Sequence, residues 1–279
     1  MIKYKIAAGI VTYDPELDRL KDNILSIVNQ VDMVIINDNH SINISDIRAL
    51  CRDYEKVKLL ENKKNVGVAM ALNNICREAI KEKYDWILTL DQDSICPSDL
   101  ISQLLQFADQ QTGIVAPSIL YRDNERFYKK QINSCEKVKW VITSASLTNL
   151  RAWKDIDGFD DILFIDKVDY DFCMRLNNSG YSVKKVKNVV LLHELGNLKC
   201  KKILWKLIYI TNHSPIRYYY MCRNTIYLRY KLGIGNCYSY ILSRLIKILV
   251  FEKNKGSKDR KSTRLNSSHR SLSRMPSSA

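Results

Sequence analysis

Asp85-Trp86-Ile87-Leu88-Thr89-Leu90-Asp91-Gln92-Asp93-Ser94 decides the fold. A short apolar run, rich in Ile, Leu and Trp, reads as a buried strand and ends in two carboxylates one residue apart. Carboxylates at the mouth of a core are costly unless something positive meets them. An Asp-x-Asp at a strand end aims hard oxygen ligands outward, which suits Mg²⁺ or Mn²⁺ holding a diphosphate. The plainer alternative is a solvated turn, with Asp99 capping a nearby helix.

Working outward, the first half of the chain alternates strand-like and helix-like stretches. Ile6–Tyr13, Met33–Asn37, Val57–Glu61, Trp86–Leu90 and Gly113–Leu120 read as strands. Leu17, Leu20, Ile24 and Ile27 recur at helical spacing, Val68–Lys81 places Leu72, Ile75, Cys76 and Ala79 on one face, and Leu100–Ala108 is a third helix. Strands separated by such helices imply an α/β fold, a Rossmann-like, mostly parallel sheet with helices on both faces. Ligands then bind at the carboxyl ends of the strands. Three polar clusters fall there: Thr12-Tyr13-Asp14, Asp38-Asn39 and Asp91-Gln92-Asp93. From Lys139 the pattern changes. Trp140–Leu147 reads as a strand ending in small residues, a Gly158-Phe159-Asp160 turn and an acidic helix start follow, and Ser182–Leu192 is the final strand. Beyond His193 the chain becomes basic, aromatic and helical, with no further strand expected.

The 279 residues suffice for a sizeable core and carry a formal charge of +14. Such an excess calls for an acidic partner, either nucleic acid or an anionic membrane surface. Residues 257–279 hold six Lys/Arg and one Asp, so +5 of that charge sits in a stretch with almost no apolar periodicity. This tail reads as disordered and non-native and is set aside. Eight cysteines with no C-x-x-C pair suggest reduced thiols in a cytosolic protein. The apolar N-terminus is short and lacks a cleavage site, and no run is long enough to span a bilayer.

Several constellations carry possible chemistry, each beside a plainer reading. Asp38 at a strand end can accept from a nucleobase or ribose, or form an Asx turn. Asn65-Val66-Gly67 leads into the helix carrying Asn73, where Gly permits close backbone approach and helix-start N–H groups suit phosphate. Asp166, Asp169 and Asp171 lie in Phe164–Leu176; at helical spacing Asp166 and Asp169 share a face and Arg175 can pair with Asp171. Dipole complementation explains two of these acids, and one is a candidate general base. His193 ends the last strand and is either structural, a neutral imidazole ligand to the same cation, or a partner for a leaving diphosphate. His213–Asn224 sets Arg217 and Arg223 among tyrosines, suited to phosphate plus an apolar stem, to RNA bases, or to internal packing. Tyr238–Phe251 is a basic amphipathic helix, with Tyr240, Ser243, Arg244 and Lys247 on one stripe, that lies in a headgroup layer or docks on a partner.

Taken in order, Val11-Thr12-Tyr13, Asp38-Asn39, Asn65-Val66-Gly67 with Asn73, Asp91-Gln92-Asp93, Gly158-Phe159-Asp160 and Phe164–Arg175 resemble the family 2 glycosyltransferases, of GT-A fold. The resemblance runs from about Ile6 to Asn224. The wording Phe164-Ile165-Asp166-Lys167-Val168-Asp169-Tyr170-Asp171, with Leu192-His193-Glu194-Leu195-Gly196 beyond it, is most similar to the bacterial rhamnosyltransferase branch. The resemblance implies a nucleotide-diphosphate-sugar donor, Mg²⁺ or Mn²⁺, and inversion at the anomeric carbon. It further implies donor contacts at Thr12, Tyr13, Asp38, Asn65, Gly67, Asp91 and Gln92. Asp93, Asp91 and His193 would serve the metal, Asp169 would be the base, and Asp166, Asp171, Arg217 and Arg223 would be acceptor or accessory residues. Two departures stand out: Asn39-His40-Ser41 replaces the common Asn-Gly-Ser, and Val168-Asp169 replaces a Glu-Asp pair.

The expected organisation is a catalytic domain over 1–200, a basic helical extension over 201–255 for acceptor or membrane contact, and the tail 256–279. The expected activity is transfer of a sugar, rhamnose by resemblance, to a hydroxyl of a growing, lipid-linked glycan such as an O-antigen, by a cytoplasmic protein peripheral on the inner face of the plasma membrane. A sugar-1-phosphate nucleotidyltransferase would want a Gly-rich basic loop after the first strand, where Tyr13-Asp14-Pro15-Glu16 stands instead. A basic RNA- or membrane-binding adaptor fits the net charge. No nucleic-acid module is recognisable, however, and acids at three strand ends would repel phosphate without a metal.

Overall fold

A computed structural model describes residues 4–121, 134–193, 199–203, 206–210, 213–233 and 236–251. Its contacts divide the chain into two units, Met1–Glu194 and Leu195–Ala279.

The first unit is an eight-stranded sheet in the order β3-β2-β1-β4-β7-β5-β8-β6. Its strands are β1 (Ile6–Thr12), β2 (Met33–Asp38), β3 (Val57–Glu61), β4 (Trp86–Asp91), β5 (Thr112–Tyr121), β6 (Cys135–Lys137), β7 (Ser146–Asn149) and β8 (Ser182–His193). β1 pairs in parallel with β2 and β4, β2 with β3, and β5 with β8, whereas β7 and β6 run against their neighbours. The sheet is therefore mostly parallel, as the alternation of elements implies. Six helices accompany it: α1 (Leu17–Ile27), α2 (Ile44–Arg52), α3 (Val68–Lys81), α4 (Leu100–Leu105), α5 (Leu150–Asp155) and α6 (Val168–Asn178).

Period-two alternation along the strands feeds both faces. Ala8 and Ile10 of β1, Val34 and Ile36 of β2, and Leu88 and Leu90 of β4 join Leu20, Ile24 and Ile27 of α1, Ile47 of α2 and Leu100 of α4 in one buried cluster. The intervening Gly9 faces α3. A Cβ there would lie 2.5 Å from Ile75 Cγ2, so the missing side chain lets α3 settle on β1. The expected face of α3 (Leu72, Ile75, Cys76, Ala79) is buried.

The second unit contains an antiparallel hairpin, β9 (Lys199–Ile203) and β10 (Lys206–Ile210), followed by α7 (Pro215–Leu232) and α8 (Cys237–Phe251). Ser214 caps α7, accepting from Arg217 N at 3.4 Å, and Gly233 at φ 67° ends it in the left-handed region. Cys237 of α8 is buried, while Tyr238, Leu242, Leu245 and Ile246 are exposed.

Four expectations need correction. The hairpin β9–β10 follows His193, where none was anticipated; β9 (KCKKI) is Lys-rich and offers no continuous apolar run as a signal. Residues 140–145 form an irregular segment and only Ser146–Asn149 is strand, because Ala145 at φ 58° breaks the ladder. α4 stops at Leu105 instead of Ala108. Asp166 precedes α6 at φ 66°, so it does not share a helical face with Asp169. The tail lies outside the described residues, as does much of Ser118–Lys139. Among the described residues no helix is long and apolar enough to cross a membrane.

Candidate active site

The carboxyl ends of β1, β2 and β4 are tied together by side chains. Asp38 is buried (1 % exposed). Its Oδ1 accepts from Thr12 Oγ1 at 2.9 Å and Ser41 Oγ at 2.5 Å, and its Oδ2 accepts from Ser41 N at 2.8 Å. These bonds take three of the carboxylate's about four lone-pair sites. Asp14 N donates to Ser41 Oγ at 2.8 Å, and Tyr13 N donates to Gln92 Oε1 at 2.9 Å, joining β1 to both neighbouring turns.

At the end of β4, Asp91 and Asp93 are exposed. The Asp91 carbonyl accepts from Asn23 Nδ2 at 2.6 Å and Ser94 N at 3.2 Å, which fixes the turn. Among the described residues no hydrogen bond or ion pair engages the Asp93 carboxylate, so it is available to a cation. No group of three or more metal-ligating side chains occurs among the described residues. Two exposed hard-oxygen donors nevertheless fit Mg²⁺ or Mn²⁺, whose remaining positions are ordinarily filled by phosphate oxygens and water. His193 ends β8 on the same sheet edge. Strand order sets it three positions from β4, roughly 14 Å at ordinary strand spacing. Its side chain lies outside the described atoms.

Asn39 links these strand ends to α3. Its Nδ2 donates to Gly67 O at 3.2 Å, and its Oδ1 accepts from Asn62 Nδ2 at 2.9 Å and Val66 N at 3.3 Å. Asn65 Oδ1 accepts from Gly67 N at 2.9 Å, the local turn its sequence suggests. Gly67 has φ 84°, and a Cβ there would meet Phe164 O at 2.5 Å. Val68 N donates to that same carbonyl at 2.7 Å, so the helix start grips the loop leading to α6. Asn73 completes the grip: its Nδ2 donates to Phe159 O at 2.8 Å and its Oδ1 accepts from Phe159 N at 2.9 Å.

That loop delivers Asp169. Asp166 and Lys167, both at φ 66°, place two consecutive non-glycine residues in the left-handed region just before α6. Such strain costs of order 1–3 kcal/mol per residue and persists where surrounding contacts dictate it, often at functional sites. Asp169 is partly buried and its Oδ1 accepts from Tyr170 N at 2.8 Å. Burial holds its carboxyl above the usual range, opposed by the Tyr170 N–H and the Lys167 cation. It borders a small cavity with Thr89 of β4, Thr143 and Phe172. Asp171, by contrast, is fully buried and pairs with Arg175 at 2.7 Å. Arg175 also donates to Ile156 O at 2.7 Å and Gly158 O at 2.6 Å. The Asp171–Arg175 pair therefore braces the Gly158 turn. Arg217 and Arg223 lie on α7 in the second unit, Arg223 over the Tyr220 ring at 4.8 Å.

Sequence reasoning gave no role to Ser94, Thr89, Ser144 or Trp140, and named Ser41 only beside the His40 departure. The cluster of small hydroxyls in Thr143-Ser144-Ala145-Ser146 was the available signal. Thr89 Oγ1 donates to Thr143 O at 2.5 Å, and the Ser94 and Ser144 hydroxyls share a bond of 2.8 Å.

The mostly parallel sheet, with its two antiparallel strands and the helices packed on it, has the architecture of a GT-A glycosyltransferase. The chain belongs to the family described as Glycosyl transferase family 2, which residues 8–168 match. It is 31% identical over 240 residues to the dTDP-rhamnosyl transferase RfbF of Shigella flexneri, covering 80% of this chain and 79% of that one. Among solved structures it resembles the mannosyltransferase PcManGT from Pyrobaculum calidifontis in complex with GDP-Man and Mn²⁺ (TM-score 0.62, 14% identity, 99% of this chain and 78% of that one). It also resembles GalNAc-T7 with UDP, GalNAc and Mn²⁺ (TM-score 0.57, 12% identity, 68% of this chain), of which it spans only 44%. The expected family, fold and enzyme class are thus borne out.

Proposed function

We propose that the protein is an inverting, divalent-metal-dependent rhamnosyltransferase that uses dTDP-rhamnose and glycosylates a hydroxyl of a lipid-linked glycan. The observation that carries this reading is the setting of Asp169, half-buried beside β4, the strand whose end bears the exposed Asp91 and Asp93. Likeness to a dTDP-rhamnosyl transferase supports the donor, and the Mn²⁺ in two structural neighbours supports the metal.

Asp91 and Asp93 would hold Mg²⁺ or Mn²⁺ against the donor diphosphate, where the bound cation neutralises charge on the leaving group. Asp169 takes the proton of the acceptor hydroxyl, whose oxygen forms a bond to the anomeric carbon. The bond from that carbon to the diphosphate oxygen breaks, and dTDP departs. One displacement from the opposite face inverts the centre. A carboxyl raised by burial is a stronger base than a solvated one, which suits this step. Asp38, Thr12, Tyr13 and Gln92 shape the nucleoside side, and the Asn65–Gly67 turn orders the start of α3 beside them. Asp166 is an acceptor-side residue in this reading.

The acceptor's lipid stem and a peripheral position on the inner face of the plasma membrane are part of the same reading. Support comes from α8, where Tyr238, Leu242, Leu245 and Ile246 form an exposed apolar stripe on a chain of strong positive charge. Leu242→Glu with Leu245→Glu should then abolish co-sedimentation with anionic liposomes.

The activity is tested with dTDP-rhamnose, Mn²⁺ and a rhamnoside acceptor. The reading expects release of dTDP and an inverted anomeric signal by NMR. Pyrophosphate release, or retention at the anomeric carbon, would overturn it.

A further inference from the structure

Residues 138–145 join the two halves of the site. On one side Asn177 Nδ2 donates to Lys139 O at 2.9 Å and the Cys173 thiol to Val141 O at 3.7 Å, pinning the segment to α6, the helix that carries Asp169. On the other, Thr89 Oγ1 donates to Thr143 O at 2.5 Å, Ala145 N to Thr89 O at 2.7 Å, and Ser144 bonds to Ser94, the residue after Asp93. Within this doubly anchored segment stands Trp140, 49 % exposed. Tyr170, the neighbour of Asp169, packs edge-on against its indole at 6.2 Å between ring centroids. Trp140 is thus a half-exposed aromatic on a doubly anchored backbone, packed against the residue that follows Asp169.

Strand order assigns the two sides of the site. Asp38, on β2, lies on the β1 side of β4, and the segment bearing Trp140 leads into β7 on the other. A donor whose nucleoside meets Asp38 and whose diphosphate meets Asp91 and Asp93 leaves the Trp140 side for the incoming acceptor. We propose that Trp140, propped by Tyr170, is the platform on which a pyranose ring of the acceptor stacks. The apolar C–H face of the sugar lies on the indole and its hydroxyl is directed at Asp169. A sugar presents one face of C–H bonds and a rim of hydroxyls, the chemistry that an amphipathic, rigid aromatic accommodates with little loss of side-chain freedom. The inference rests on the transferase reading above and adds the residue that selects the acceptor.

The test uses the full chain with saturating dTDP-rhamnose, Mn²⁺ and methyl α-L-rhamnopyranoside as acceptor. Trp140→Ala should raise the acceptor KM roughly tenfold, leave dTDP affinity by calorimetry unchanged, and leave the melting temperature near that of the parent. Trp140→Phe, which keeps a ring face, should recover most of the loss, whereas Trp140→Leu should not. Independently of turnover, titrating the rhamnoside should quench indole fluorescence in the parent protein and not in Trp140→Phe. An acceptor KM within twofold in Trp140→Ala, or equal quenching in both proteins, overturns the platform. If the parent quenches but transfers nothing from dTDP-rhamnose, the platform stands and the donor reading fails.

Discussion

The hydroxyls of Ser94 and Ser144 share a buried hydrogen bond of 2.8 Å, joining the turn that carries Asp91 and Asp93 to the segment that runs back to α6. The Asp91–Asp93 turn and the helix carrying Asp169 are thereby held by one short bridge, reinforced by Thr89 against Thr143. Ser144→Ala leaves the Ser94 hydroxyl buried without this partner, which should cost about 1–3 kcal/mol. A lower melting temperature with weakened Mn²⁺-dependent dTDP binding is expected; unchanged values in both measurements would show that the bridge does not order the turn.

Gly67→Ala should be more damaging than its size suggests. The new Cβ would meet Phe164 O at 2.5 Å, and the φ of 84° disfavours any L side chain. The loop to α6 must move, so both stability and transfer rate should fall, the rate through displacement of Asp169. Hydrogen exchange over 158–169 checks this, with faster exchange expected there than in the β3 region.

Much of the fold was legible because its signals are local. α3 and β3 occupy the ranges read from the sequence, and in α3 the helical apolar spacing coincides with one packed face. Residues 140–145 misled because Trp140, Val141 and Ile142 carry strand-like side chains, while the carbonyls of Lys139 and Val141 accept from α6 side chains, that of Ile142 from Ser146 Oγ and that of Thr143 from Thr89 Oγ1, instead of a ladder. The Asp-x-Asp turn and Asp169 were legible as residue types at element ends. Asp38's partners were not: Thr12 lies 26 positions away, and only the parallel pairing of β1 with β2 brings the two together. The i, i+4 spacing already paired Asp171 with Arg175, and the structure shows Asp171 fully buried in that pair while Asp169 is only partly buried.

The raised pKa of Asp169 has a consequence for stability. Burial lifts its folded-state value above the ordinary 3.8, so between the two values the native state binds more protons than the unfolded chain. This group's contribution is full below the ordinary value and is lost as pH rises through the folded one. Asp169→Asn should therefore raise the melting temperature at pH 7, and the gain should shrink as the pH falls below the ordinary carboxylate range. The acid limb of kcat/KM should likewise fall at a pH above that range. A lower melting temperature for the variant at pH 7 would contradict the burial argument.

Asp93→Ala removes an exposed oxygen donor with no structural bond among the described residues. The fold should be unaffected, whereas Mn²⁺-dependent dTDP binding measured by calorimetry should disappear. Unaltered metal-dependent affinity would exclude Asp93 from the site.

The central claim is that Asp169 takes the acceptor's proton while Asp91 and Asp93 serve the donor. Single-turnover transfer at saturating dTDP-rhamnose and Mn²⁺ tests it most directly, comparing the parent protein with Asp169→Asn. The variant should bind dTDP nearly as well as the parent, and its transfer rate should fall by roughly two to four orders of magnitude. Asp166→Asn, outside the helix, should lose far less. A near-normal rate for Asp169→Asn, or a larger loss at Asp166, would assign the base to another residue.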